Sequence, residues 1–290
     1  MTRLFCFGLG YCAHRVAQEL SAGGWAIAGT STSEAGAEAL RRSGFEGFVF
    51  DGTQRLDAVT GALARSTHIL LSIPPGPLGD AAYILHAQDI AAAPHISWIG
   101  YFSTVGVYGD AAGGWVDENT EAKPASERGQ RRLVAENAWR QLGRDAGKRV
   151  NVFRLPGIYG PGRSAIDDVL AGTARRIIKP GQVFNRIHVE DIARAVIAAI
   201  AKPQADHVYN VTDDEPGPPQ DVVAFAAQLL GLPVPPDLDF ATADLSPMAR
   251  SFYSESKRVS NARLKAELLP RLAYPTYRQG LTAIARALKK

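Results

Sequence analysis

The sequence predicts an α/β protein built on a doubly wound parallel sheet with helices on both faces. Three observations point there. Short apolar runs alternate with longer helical patterns through the first half of the chain, and those runs are nearly continuous in Leu, Ile, Val and Phe, as in strands buried on both faces. The first of them also runs straight into a glycine-rich turn and then a helix.

Taken in order, Leu4–Phe7, Trp25–Thr30, Gly47–Phe50, His68–Ile73 and Ile96–Phe102 read as strands, with helices over Ala13–Ala22 and Glu34–Arg42 between them. A long helix carrying Arg131 to Leu142 leads into a further strand, Val150–Leu155. Beyond Leu155 the texture loosens into Gly- and Pro-rich turns, 156–162, 216–219 and 233–236. Asp191–Ala201 nevertheless reads as a helix ended by Pro203, and His207–Val211 as a strand, so the chain is expected to return to the sheet. No fixed-period repeat is present.

Composition sets the outer bounds. The 290 residues suffice for one large or two modest domains, and 46% hydrophobic with 21% charged residues excludes a disordered chain. Thirty-two Lys and Arg against 29 Asp and Glu leave a net charge of only +3, which argues against a nucleic-acid partner. The basic stretch 128–149 carries Glu136 and Asp145 and reads as a solvated helix face. Cys6 and Cys12 are the only cysteines and lack zinc-site spacing. The apolar run ending at Gly8 is too short for a signal peptide, and no window reaches the ~18 apolar residues of a membrane span. A cytoplasmic protein without a membrane partner is expected.

The strongest local signal is Gly8-Leu9-Gly10-Tyr11-Cys12-Ala13, a Gly-x-Gly-x-x-Ala between strand and helix. Glycines allow a tight turn and close approach of backbone N–H groups to a pyrophosphate, whose charge a helix N-terminus favours. A dinucleotide site is expected, formed by Gly8, Gly10, Tyr11 and Cys12. At the end of the second strand, Thr30, Ser31 and Thr32 stand where an acidic residue would bond the ribose 2′-hydroxyl of NAD. Without a carboxylate to repel a 2′-phosphate, and with Arg15 near in sequence, NADP is favoured over NAD. The other reading is a plain turn that binds NAD without an acidic partner. Asp51 closes the third strand and either bonds the adenine amino group or caps the next helix; Ser72, Ile73 and Pro74 close the fourth.

Beyond this turn, Tyr101–Gly109, Arg154–Gly162, Arg186–Ala193 and Tyr209-Asn210-Val211 follow one another in the order found in extended short-chain dehydrogenases/reductases, the group that includes nucleotide-sugar epimerases and dehydratases. The chain resembles that family over residues 3 to 211. The resemblance implies a Rossmann domain over residues 1–156 and a mainly substrate-binding lobe over 157–290, with segments around 187–211 returning to the first domain. It also implies an enzyme acting on a small polar substrate of nucleotide-sugar type, Pro156 among the cofactor contacts, and a homodimer.

One motif departs from the family pattern. Aligned on Gly129, Arg128 and Arg132 stand where the family has its catalytic Tyr-x-x-x-Lys. Arginine stays protonated and cannot exchange the tyrosine's proton, although Arg132 can bond a ribose or phosphate. By the resemblance, Thr104 bonds substrate. Tyr108, Tyr101 and Asp110 are the candidate proton carriers, with Tyr108 preferred; each also has a plain structural reading. His188 reads as structural. Arg163, Arg175, Arg176, Arg186 and Arg250 are candidate anion partners, and Ser260 a helix N-cap. Loss of the Tyr and Lys leaves open a protein that binds NAD(P) as a sensor without catalysis.

Overall fold

The computed structural model describes residues 2–202 and 207–289. They cluster into two compact units: residues 2–107, 127–154, 192–202 and 207–209 make the first, and 108–126, 155–191 and 210–289 the second. The predicted Pro203 helix stop lies outside the described residues.

The first unit holds strands β1 (Arg3–Phe7), β2 (Ala26–Ser31), β3 (Glu46–Val49), β4 (His68–Leu71) and β5 (Trp98–Thr104). Helices α1 (Tyr11–Ala22), α2 (Glu34–Arg42), α3 (Asp57–Leu63), α4 (Ala81–Ala92) and α5 (Glu127–Ala146) accompany them. With Arg149–Leu155 and His207–Asn210 the strands form one seven-stranded parallel sheet. From the β3 edge its order is β3, β2, β1, β4, β5, Arg149–Leu155, His207–Asn210. β1 pairs with β2 on one side and β4 on the other, so the order reverses at the strand that carries the glycine turn. That reversal opens the crevice in which such sheets bind ligands.

The core follows from the apolar strand runs. Phe5, Phe7, Ile69, Leu71, Ile99 and Tyr101 are fully buried beneath the helices, with Trp139 of α5 and Val59 of α3 among them. Two buried polar ties fix the far strands and α5. Trp98 Nε1 donates to Asn151 Oδ1 at 2.7 Å, and Arg154 binds Glu136 at 2.8 Å with both side chains almost wholly buried.

In the second unit three two-stranded parallel sheets and several short helices surround smaller clusters. Tyr159, Ile166, Val222, Tyr277, Leu281 and Ile284 form the larger one, in which Tyr159 packs where Gly280 leaves no Cβ. The helix predicted from Asp191 begins two residues earlier, at Val189. Asp191 instead accepts the backbone N–H groups of Ala273 and Tyr274 at 2.6 and 2.9 Å. The helix at Ala262–Glu267 is capped by Asn261 rather than Ser260, because the turn extends one residue further; the Ser260 hydroxyl still accepts from Ala262 N at 3.3 Å.

Candidate functional site

Because its strands are parallel, the first unit gathers their carboxyl ends on one edge. Gly8 to Cys12 follow β1, Thr30 and Ser31 end β2 with Thr32 just beyond, Asp51 follows β3, Ser72 to Pro74 follow β4, and Thr104 ends β5. Residues up to 96 apart in sequence thus share one rim.

Gly8 is required by both backbone and space. Its φ of +78° lies in the left-handed region, and a Cβ there would sit 2.5 Å from Ile73 Cγ2. Ile73 therefore walls the turn from the β4 side, with Ser72 N donating to Phe7 O at 2.9 Å just before it. Thr30 holds the opposite side: its buried hydroxyl accepts from Gly8 N at 2.8 Å, and its carbonyl accepts from Leu9 N at 2.9 Å. The hydroxyl expected to face a ribose instead braces the glycine turn.

Gly10 is the N-cap of α1, in extended conformation, exposed, with no side chain capping the helix and no acidic residue in its first turn. A Cβ on Gly10 would meet nothing within 4 Å. The turn thus combines a glycine that cannot be replaced with an open helix N-terminus, which fits a dinucleotide pyrophosphate. Tyr11 is half-buried and Cys12 buried on α1. Ser31 packs against Gly36, where any Cβ would meet its hydroxyl, whereas Thr32 is exposed. Arg15 pairs with Glu19 at 2.5 Å along α1.

Asp51 does not cap a helix, since Leu56 occupies that position for α3. Its Oδ1 accepts from Thr53 N and Oγ1 at 2.9 and 2.7 Å, and these bonds hold the exposed carboxyl below the usual Asp range. It is ionised at neutral pH.

Toward β5, Thr104 is half-buried and its hydroxyl accepts from Gly106 N at 3.1 Å. Arg132 reaches from α5 to the same strand end, donating to Phe102 O and, at 3.5 Å, to Tyr101 Oη. Arg128 is exposed on α5. Tyr101 is fully buried, and burial drives its phenol well above the ordinary range, which makes it a poor proton carrier.

The remaining candidates lie in the second unit. Tyr108 is buried and donates to Asn210 Oδ1 at 2.8 Å, a framework contact. Asp110 accepts from Ser256 N at 2.7 Å, and that bond helps hold its carboxyl low. Pro156 is half-buried directly after the strand Arg149–Leu155. His188 is structural, as expected: its buried ring packs against Tyr159 and Tyr274 and accepts from Glu190 N at 3.1 Å. The arginines considered for anions are largely committed to backbone. Arg175 donates to Asp244 O, Arg176 to Pro235 O, Arg186 to Phe184 O and Gly217 O, and Arg250 to Ala243 O.

Sequence reasoning missed one network in the first unit. Asp89 of α4 binds Arg55, Thr60 and His86, partners three to 34 positions away with no motif to join them. Among the described residues no His/Cys/Asp/Glu group could hold a metal ion, and no helix is long and apolar enough to cross a membrane.

Sheet order and the strand–glycine turn–helix unit define an α/β protein of Rossmann type. The chain belongs to the NAD dependent epimerase/dehydratase family, within the extended short-chain dehydrogenases/reductases; the family model matches residues 83–212. It is 32% identical over 246 residues to protein YeeZ of Escherichia coli K12, covering 81% of this chain and 86% of that one. Among solved structures, a functionally unknown conserved protein from Silicibacter pomeroyi superposes with a TM-score of 0.89 at 48% identity over the whole of both chains. UDP-glucose 4-epimerase of Thermus thermophilus, solved with NAD, shares the fold with a TM-score of 0.76 at 20% identity, covering 99% of each chain.

Proposed function

We propose that this chain binds a nicotinamide dinucleotide in the Gly8–Cys12 turn and acts as an epimerase/dehydratase-like or reductase enzyme on a small polar substrate of nucleotide-sugar type. The observation that carries the reading is the turn itself, in which Gly8 is fixed by its φ and by Ile73 while Gly10 leaves the helix end open. When bound, the nicotinamide supplies hydride chemistry. The chain's own residues then divide the work. The Gly10–Cys12 backbone meets the pyrophosphate, Asp51 reads adenine, Ser72 to Pro74 line the cofactor, Thr104 bonds the substrate oxygen, and Arg132 supports the nicotinamide ribose. Arg132 stabilises negative charge but moves no proton.

NADP(H) is the preferred form in this reading, because β2 ends in Ser31 and is followed by Thr32, with no carboxylate at either position. A homodimer through the first unit is part of the same proposal, supported by Ile84 on α4 and Val134 on α5, which are 58% and 68% exposed. The replaced Tyr and Lys, with Tyr101 and Tyr108 both buried, favour a second reading as a dinucleotide-binding sensor without turnover.

The test is titration calorimetry with NADPH and NADH, followed by incubation with UDP- and dTDP-sugars under mass spectrometry. Binding with conversion supports the enzyme, and binding without conversion the sensor. Failure to bind either dinucleotide removes both.

A further inference from the structure

We infer that Asp89, acting through Arg55, is a positioning residue that sets the adenine-reading loop of this site, and thereby the preference for adenine over other purines. The inference rests on the dinucleotide reading above and adds residues that no motif contains. Asp51 stands on a loop of seven residues, 50–56, between β3 and α3. Two contacts fasten that loop to α4. At its start Gly52, with φ +83°, passes so close to the helix that a Cβ would lie 2.9 Å from Ala81 Cβ. At its end Arg55 forks onto Asp89, Nη2 to Oδ1 at 2.8 Å and Nε to Oδ2 at 3.2 Å. A bidentate guanidinium–carboxylate pair fixes orientation as well as distance.

Asp89 is itself immobilised. Its Oδ2 also accepts from Thr60 Oγ1 of α3 at 3.1 Å and from His86 Nδ1 at 2.9 Å. His86 is fully buried, its ring 5.7 Å from that of Phe7 and 5.6 Å from that of Phe50, the residues directly before Gly8 and Asp51. Since the carboxylate can only accept, Nδ1 carries a proton toward it, and Nε2 is buried without a hydrogen-bond partner. The ring therefore has one polar anchor, Asp89, and through it the core beneath both the glycine turn and Asp51 is tied to Arg55. Asp51 commits Oδ1 to Thr53, and the exposed, ionised carboxyl can accept from a ligand donor. The 6-amino group of adenine is such a donor. Hypoxanthine presents an oxo acceptor at the same position, which a carboxylate repels.

The experiment compares binding of the preferred nicotinamide dinucleotide with its hypoxanthine counterpart, in the full chain and in Arg55→Ala, Arg55→Lys and Asp89→Asn. A hydrogen bond to a charged acceptor gives the wild type about a tenfold preference for adenine. Arg55→Ala and Asp89→Asn are expected to bring that ratio close to one by weakening the adenine form without weakening the hypoxanthine form, and Arg55→Lys, which keeps the charge without the fork, to fall between. Equal loss for both dinucleotides would mean a merely structural role and overturn the inference, as would an unaltered ratio or a wild type that binds both purines equally. A wild type that binds neither would instead refute the dinucleotide reading on which the inference stands. Melting temperatures of the exposed Arg55 variants confirm that folded protein is compared.

Discussion

Gly10→Asp separates cofactor binding from folding more cleanly than any other change at the rim, because the structure predicts opposite signs for the two. The position is the N-cap of α1, with φ −86° and ψ −167°, a conformation open to any residue, and its Cβ would meet no atom within 4 Å. Aspartate is a favoured N-cap, so stability should hold or rise by a few tenths of a kcal/mol. For binding, the carboxylate would stand where the pyrophosphate meets the helix end. Two unit charges about 5 Å apart at an effective dielectric of about 20 repel by about 3 kcal/mol, roughly a hundredfold in Kd. Gly10→Asn supplies similar bulk without charge, and its loss should be much smaller. Urea unfolding and titration with NADPH and NADH read the two effects independently. Undiminished affinity in Gly10→Asp would refute the cradle, and a collapse in stability would refute the geometry assigned to the helix end.

Other residues make narrower claims. Thr30→Val removes the hydroxyl that accepts from Gly8 N, so it should destabilise by about 1–3 kcal/mol in urea and weaken NADPH and NADH equally; a selective loss of NADPH would mean Thr30 meets the 2′-phosphate after all. Glu136→Gln leaves Arg154 buried opposite a neutral partner and should lower stability by about 3–5 kcal/mol, with a change under 1 kcal/mol contradicting the pair's importance. Asp213, buried with Oδ2 unpartnered, has its pKa pushed up to about 8 by burial. The folded chain then holds a proton that the unfolded chain releases near pH 4, so this contribution to stability is full below pH 4 and is lost as pH rises to about 8. Asp213→Asn should flatten that decline in denaturant melts at pH 5 and 8, and an identical slope in the variant would remove Asp213 as its source.

The expected strands and helices of the first unit appear with ends shifted by a residue or two, because buried parallel strands need uninterrupted apolar runs and such runs are visible in one dimension. The glycine turn was legible for a related reason. A left-handed φ at Gly8 and an open cap at Gly10 demand residue types that few other positions require. The departure at Arg128 and Arg132 was legible too, since it is a matter of spacing on one helix.

Sequence alone could not assign the atoms that each side chain meets. Thr30 and Thr32 are the same residue two positions apart, yet Thr30 lies within β2 and is buried beneath Gly8, whereas Thr32 stands just past the strand's end and is exposed. Asp51 had two local readings until the position of Leu56 as cap removed one of them. The arginines of the second half looked like anion ligands until backbone carbonyls claimed most of them. The Asp89 network joins α3, α4 and the loop after β3 across 34 residues, a partnership made by packing and therefore absent from any local pattern. Periodicity and glycine placement thus determined the α/β class and the location of the turn, because backbone geometry is dictated locally. Which hydroxyls brace the turn and which remain exposed was decided only when the parallel strands brought their ends onto one edge.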